Sequence, residues 1–393
     1  MRIFNYIYFF SSFINGIIGP YLILYFYESG LDSQDIGLMF VIHYLGVLIF
    51  EIPTGAYADL VGRKKSVAVS FLGGGFLSLL MYFVIHKYQF FLVFLLKGIM
   101  ATFCSGALEA WYAESISNGE ENVVHYWSKI ESISYIGSLT GFILSSILVA
   151  NKFLKELWLF MGMGTITLGM FILMVGVDKR RRKKLSVVDA YRKYLKTIKK
   201  GMEVMYSRKV LLLLNFALFF FFASSGVISL VWQPFFNYRL GVDKTYFGII
   251  TCLTTIGAIL GAKYAGNLNS IFKNEAKSLV VESVIVSLMV VIMVNLSAMY
   301  KVAYIVVFIF YMFFYAMQRP LFQSLINKYL SDDIRATALS VNSLMIGFST
   351  ILCSIVFGLS DKIGFRPVLG ISFLFILIVP IIYFYIFHIK KEH

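Results

Sequence analysis

Hydrophobic and polar positions fall in long alternating blocks along this chain. Apolar runs of bilayer-crossing length begin near Ile3, Ile36, Val67, Phe90, Ile130 and Leu157, and again near Val210, Tyr246, Ser278, Val302, Thr337 and Val368. The pattern predicts an all-α polytopic membrane protein of twelve transmembrane helices in two six-helix sets. Three domains are expected: a six-helix bundle over 1–178, a basic cytoplasmic linker over 179–209, and a second bundle over 210–393. Met1-Arg2 runs straight into the first apolar block without a small-residue cleavage site, so that block is expected to be a retained span.

Charge gives the blocks a direction. Cations gather at Arg63 to Lys65, in the linker, at Lys273 and Lys277, and at Lys390-Lys391. Cationic turns resist translocation, so both termini are expected on the cytoplasmic side of the cell membrane. Glu114, Glu120 and Glu121 sit in a turn where this rule would put cations, but carboxylates weigh little in it. Within the linker, Val187, Val188, Tyr191, Tyr194, Leu195, Ile198 and Met202 follow helical spacing among lysines and arginines. That predicts an amphipathic helix on the anionic inner leaflet.

Composition removes other classes. The chain is 59% hydrophobic and 14% charged, which excludes a soluble globule. Its net charge of +14 is spread over turns and one linker, so nucleic acid is not an expected partner. Cys104, Cys252 and Cys353 stand singly in apolar runs, indicating neither a disulfide framework nor a metal site. No nucleotide-binding loop, metal spacing or nucleophile motif is visible, so no enzyme and no cofactor are expected.

The two halves share a ruler. Gly30, Asp32, Gly37, Gly46 and Gly55 recur at a constant offset as Gly241, Asp243, Gly248, Gly257 and Gly266. Ser270 stands where Asp59 would map, and Asn274 and Glu275 stand at Arg63 and Lys64, so the backbone is duplicated and the charges are not. Paired repeats around a midplane site describe many secondary transporters.

The turn from Glu51 to Lys65 concentrates the chemistry. Gly55 can admit a neighbouring helix, Gly62 permits a tight reversal, and Arg63 and Lys64 anchor the turn. Asp59 places a carboxylate in the last turn of a helix, against the helix dipole, so it wants a partner. The pattern Gly55-x3-Asp59-x2-Gly62-Arg63-Lys64 resembles the signature between the second and third helices of the major facilitator superfamily, with Tyr57, Leu60 and Val67 departing from it. That resemblance implies alternating access, with Asp59 and Arg63 as a gate near Arg335-Ala336-Thr337.

Ionisable groups inside spans are candidates by default. Glu51, two residues before Pro53, and Glu109 are read as proton-coupling carboxylates, with Lys97 as their electrostatic counterweight. Lys97 stands where many members of the superfamily place an intramembrane Arg. His43, Trp232, Gln233 and Arg319 are candidates for the substrate cavity. Glu114, Glu131, Lys263 and Glu282 are read as snorkelling to a membrane face. Gly137 and Gly141 form a helix-packing face. With Phe142, Ser145 and Ser146 they resemble the fifth-helix motif of the drug-exporting antiporters, and Glu51-x-Pro53 with the following turn resembles one branch of tetracycline efflux proteins.

The expectation is therefore a monomeric secondary transporter that exports an amphipathic small molecule in exchange for protons. Proton-coupled uptake of a small polar solute is the alternative.

Overall fold

The computed structural model describes residues 2–116, 123–175, 192, 209–330 and 332–389. The predicted amphipathic helix of the linker lies outside them, apart from Arg192. Among the described residues, twelve helical spans are long and apolar enough to cross a membrane. They are Ile3–Glu28, Ser33–Val61, Arg63–Phe83, Lys87–Tyr112, Lys129–Ala150, Leu157–Met174, Lys209–Arg239, Lys244–Phe272, Glu275–Asn295, Lys301–Asn327, Val341–Ile363 and Phe365–Ile389, numbered here as spans 1 to 12. A backbone in hydrocarbon must satisfy its own N–H and C=O groups, and within one apolar run only a helix does so.

The chain forms two compact units. The first comprises Met1–Leu31, Met39–Tyr194 and Lys244–Ile249; the second comprises Asp32–Leu38, Leu195–Asp243 and Ile250–His393. In the first, span 1 lies along span 5 and span 3 along span 6. An added Cβ at Gly141 would collide with the Phe13 carbonyl and meet Gly16 Cα at 3.0 Å, so spans 1 and 5 touch backbone to backbone. Phe4, Ile7, Trp111, Tyr112, Leu168 and Ile172 fill the core beside them. In the second unit, spans 7 and 9 pack on span 12, span 7 on the helix of span 11, and span 9 on span 10.

The repeat read from the glycines extends to backbone conformation. Gly30 and Gly241 both turn left-handed, at φ 86° and 60°. Gly62 has φ 112°, and Lys273, its counterpart at the same offset, has φ 50°. A left-handed lysine costs about 1–2 kcal/mol, so the fold imposes this turn even where no glycine eases it.

Spans 1 and 4, expected as continuous, are broken. Span 1 passes through a 3-10 turn at Gly19–Tyr21, where Pro20 cannot donate to the ladder and the Tyr21 hydroxyl bonds Ser146 Oγ at 3.2 Å. Span 4 runs through helix Lys87–Thr102, a turn, and the start of helix Ala107–Ile116. There Cys104 N–H donates to the Ala101 carbonyl at 3.1 Å and Ala107 N–H to that of Cys104 at 3.1 Å, bonds one residue shorter than the helical ladder. Gly106, at φ 68°, closes the break.

Candidate functional site

A cavity of about 290 Å³ opens inside the first unit. Its polar lining comes from Ser11 and Asn15 of span 1, His43 of span 2, Ser70 and Ser78 of span 3, Lys97 of span 4 and Thr165 of span 6. Lys97 is its cation, and among the described residues its lining contains no carboxylate. The Lys97 ammonium donates to Ser78 Oγ at 2.5 Å and sits 5.1 Å from the centre of the Trp158 ring. Ser78 gives its own hydroxyl proton to the Gly74 carbonyl at 2.9 Å, which turns an oxygen lone pair toward the lysine. An ammonium has three donors, so Lys97 keeps donors for a solute in the cavity. His43 bonds the Phe94 carbonyl through Nδ1 at 2.9 Å; that nitrogen therefore carries the proton, and Nε2 is an acceptor. The site can thus hold a small solute that presents an anionic or strongly accepting group to Lys97 and a donor to His43.

The sequence candidates fall into distinct places. His43 and Lys97 come together in the cavity. Glu51 and Glu109 both flank the break in span 4. Ser105, in the break, donates to Glu51 Oε1 at 3.5 Å, and Glu109 lies in the first turn of the helix that follows. A carboxylate is favoured at that helix N-terminus. Among the described residues the expected counterweight is not made at contact range: Lys97 is held by Ser78 and Trp158, and the break in span 4 lies between it and Glu109. Asp59 is exposed at the C-terminal end of span 2, and Gly62 starts the reversal into span 3. The side chains of Arg335, Ala336 and Thr337 lie outside the described residues. An added Cβ at Gly55 would meet nothing within 4 Å, so the close approach expected there is not made.

In the second unit, Trp232 packs edge-on to Phe236, 5.8 Å between ring centres, and 5.7 Å from Phe308. The space beside it is only about 10 Å³, so Trp232 is an aromatic packing residue here. Gln233 is buried and Arg319 exposed. Glu131 and Lys263 are exposed, whereas the side chain of Glu114 lies outside the described residues. Glu282 overturns the snorkelling expectation: it is 0% exposed and enclosed within the protein, because span 9 turns it toward spans 10 and 12.

Sequence reading passed over Ser11, Asn15, Ser70 and Ser78, yet a signal was present. Ser11 and Asn15 are four residues apart, and Ser70, Gly74 and Ser78 repeat at the same interval, which sets each group on one helical face inside an apolar run. Trp158 carried no such mark.

A twelve-span fold built on a repeat, with a polar cavity inside one half and a broken helix beside it, defines a secondary transporter. The family model of the Major Facilitator Superfamily matches residues 5–353 and 214–392, and the chain belongs to that superfamily. It is 25% identical over 384 residues to the uncharacterized MFS-type transporter YxaM of Bacillus subtilis (strain 168), covering 96% of this chain and 93% of that protein. Among solved structures, a mutant form of the nucleoside transporter NupG superposes with a TM-score of 0.83 at 15% identity, over 98% of this chain and 99% of that one. A bacterial homolog of the human lysosomal transporter Spinster, inward-facing and occupied, gives 0.71 at 11% identity over 98% and 95%. These structures establish the fold and leave the solute open. The chain is a multi-pass membrane transporter that moves a solute and does not transform it.

Proposed function

We propose that this transporter is driven by the proton gradient and receives, around Lys97, a small polar solute bearing an anionic or strongly accepting group. The observation that carries the reading is the Lys97 ammonium, held by Ser78 and Trp158 with donors left for the cavity. This shifts the balance toward the second of the two solute classes expected from sequence. Proton-coupled efflux of an amphipathic molecule keeps one support besides its fifth-span resemblance. A groove of about 540 Å³ on spans 1 and 6 is lined almost wholly by apolar side chains, among them Tyr6, Phe10, Phe13, Leu168 and Phe171. Thermal unfolding of the purified protein with organic anions, sugars, nucleosides, amino acids and lipophilic cations separates the classes, since a ligand of the folded state raises its apparent stability. Stabilisation by lipophilic cations and by no polar solute would overturn the Lys97 reading.

Glu51 and Glu109 are proposed to exchange the coupling proton at the break in span 4. Glu51→Gln or Glu109→Gln should abolish accumulation driven by an imposed pH gradient in proteoliposomes while keeping solute exchange. Normal accumulation by both variants would remove the carboxylates from the coupling step. Asp59 is proposed to act in gating. Asp59→Asn should slow transport several-fold and leave equilibrium solute binding intact; lost binding with unchanged inward- and outward-facing populations would argue against a gate and for a part in the solute site. The same reading takes a monomer as the working unit in the cell membrane, with both termini and the basic 179–209 segment at the anionic cytoplasmic leaflet.

A further inference from the structure

We infer that Glu282 is a proton-binding site in the second unit, loaded and emptied as the transporter cycles. Its part in the cycle rests on the proton-driven reading above; its existence as a site does not. Glu282 lies two turns into span 9 and is fully buried, and neither carboxyl oxygen has a hydrogen-bond partner among the described residues. The spans packed against it present tyrosines. Tyr311 and Tyr315 come from span 10 and Tyr383 from span 12, each within electrostatic reach of the carboxyl. Among the described residues, the charged groups nearest these faces are Arg319, exposed one turn past Tyr315 and acting on it, and the Glu275–Lys328 ion pair that joins the start of span 9 to the end of the span 10 helix, two turns from Glu282. Gln318 donates Nε2–H to the Tyr383 hydroxyl at 2.7 Å, and its own buried Oε1 also lacks a partner among the described residues.

A structural role does not explain this residue. A buried carboxyl without hydrogen bonds costs stability, and an apolar side chain of similar length would fill the space better. An unpaired carboxylate enclosed there is costlier still, since no cation or donor among the described residues reaches it in this arrangement. The group is therefore a carboxyl that keeps its proton until its surroundings change. A proton needs no volume, which suits a site enclosed by large side chains. If spans 10 and 12 shift against span 9, the tyrosine hydroxyls become donors to the carboxylate. The O–H bond then breaks, the proton passes to water, and a proton from water on the other side later restores the carboxyl.

Infrared difference spectra of the reconstituted protein, in water and heavy water and in acidic and alkaline buffer, test the site. The wild type should show the carbonyl stretch of a buried, protonated carboxyl, shifted in heavy water. E282Q should lose it, whereas E51Q and E109Q keep it. An unchanged band in E282Q overturns the site. If E282Q does not fold, E282M decides: a folded E282M lacking the band supports the site, and misfolding of both variants makes Glu282 structural and overturns it. Spin labels at the exposed positions Leu60 and Ile271, in a background without native cysteines, read the role. The wild-type distance distribution should shift between acidic and alkaline buffer, and that of E282Q should shift less. An equal shift in E282Q overturns the coupling role. A wild-type distribution indifferent to pH, with the carbonyl band present, would defeat the proton-driven reading and leave the site standing.

Discussion

Gly141→Ala should lose most of the folded, monodisperse protein and lower its unfolding temperature, while Gly370→Ala lowers neither. Both glycines lie inside spans, and both substitutions add the same methyl group and the same gain in helix propensity. They differ in what the methyl group meets. At Gly370 it meets nothing within 4 Å; at Gly141 it strikes the Phe13 carbonyl and Gly16 Cα, which are backbone atoms and cannot swing aside. Insertion into a packed interior costs roughly 1–3 kcal/mol, and the upper end applies when no side chain can yield. Gly137 adds to the argument, since its added Cβ would strike the Phe9 carbonyl one turn earlier on the same face. Fluorescence-detected size exclusion and thermal unfolding of the two variants side by side give the comparison. Equal stability of Gly141→Ala and wild type would mean that spans 1 and 5 tolerate a wider separation than the structure has.

Lys97→Met should abolish stabilisation by anionic or polar ligands and leave the unliganded protein at least as stable as wild type. The ammonium is held by one hydroxyl and one aromatic face and has no carboxylate partner among the described residues, so removing it relieves a desolvation cost. For the solute the sign reverses. Losing the cation of the cavity should weaken binding by a hundredfold or more, about 2.7 kcal/mol. A wild-type ligand at a hundredfold excess over its Kd stabilises by about 2.7 kcal/mol, so that shift in apparent stability should nearly vanish. Lys97→Arg keeps the charge but replaces a compact donor by a planar fork, and should recover part of the binding. Undiminished ligand stabilisation in Lys97→Met would move the solute site away from this cavity.

The sequence by itself determined the number and placement of the spans, because the absence of water in a bilayer leaves an apolar run no alternative to a helix. It also determined the repeat, since left-handed turns favour glycine, and the pairs Gly30 with Gly241 and Gly62 with Lys273 show that the register is real in the backbone. Gly137 and Gly141 marked the close contact of spans 1 and 5 for the same kind of reason, as only a missing side chain lets two backbones meet. What the sequence left open was which way a polar side chain faces. Lys97 and Glu282 are each a lone charge in an apolar run, and in a string of letters both read as costly. The tertiary structure decided that Lys97 turns into a cavity with His43 and Ser78, and that Glu282, taken from sequence as reaching for the membrane face, is buried, with tyrosines of two neighbouring spans within electrostatic reach. It likewise decided that Trp232 packs among aromatics and that span 4 breaks between Lys97 and Glu109. The orientation of a side chain about a helix axis is set by what the other helices bring to that face, and those partners lie tens to hundreds of residues away along the chain.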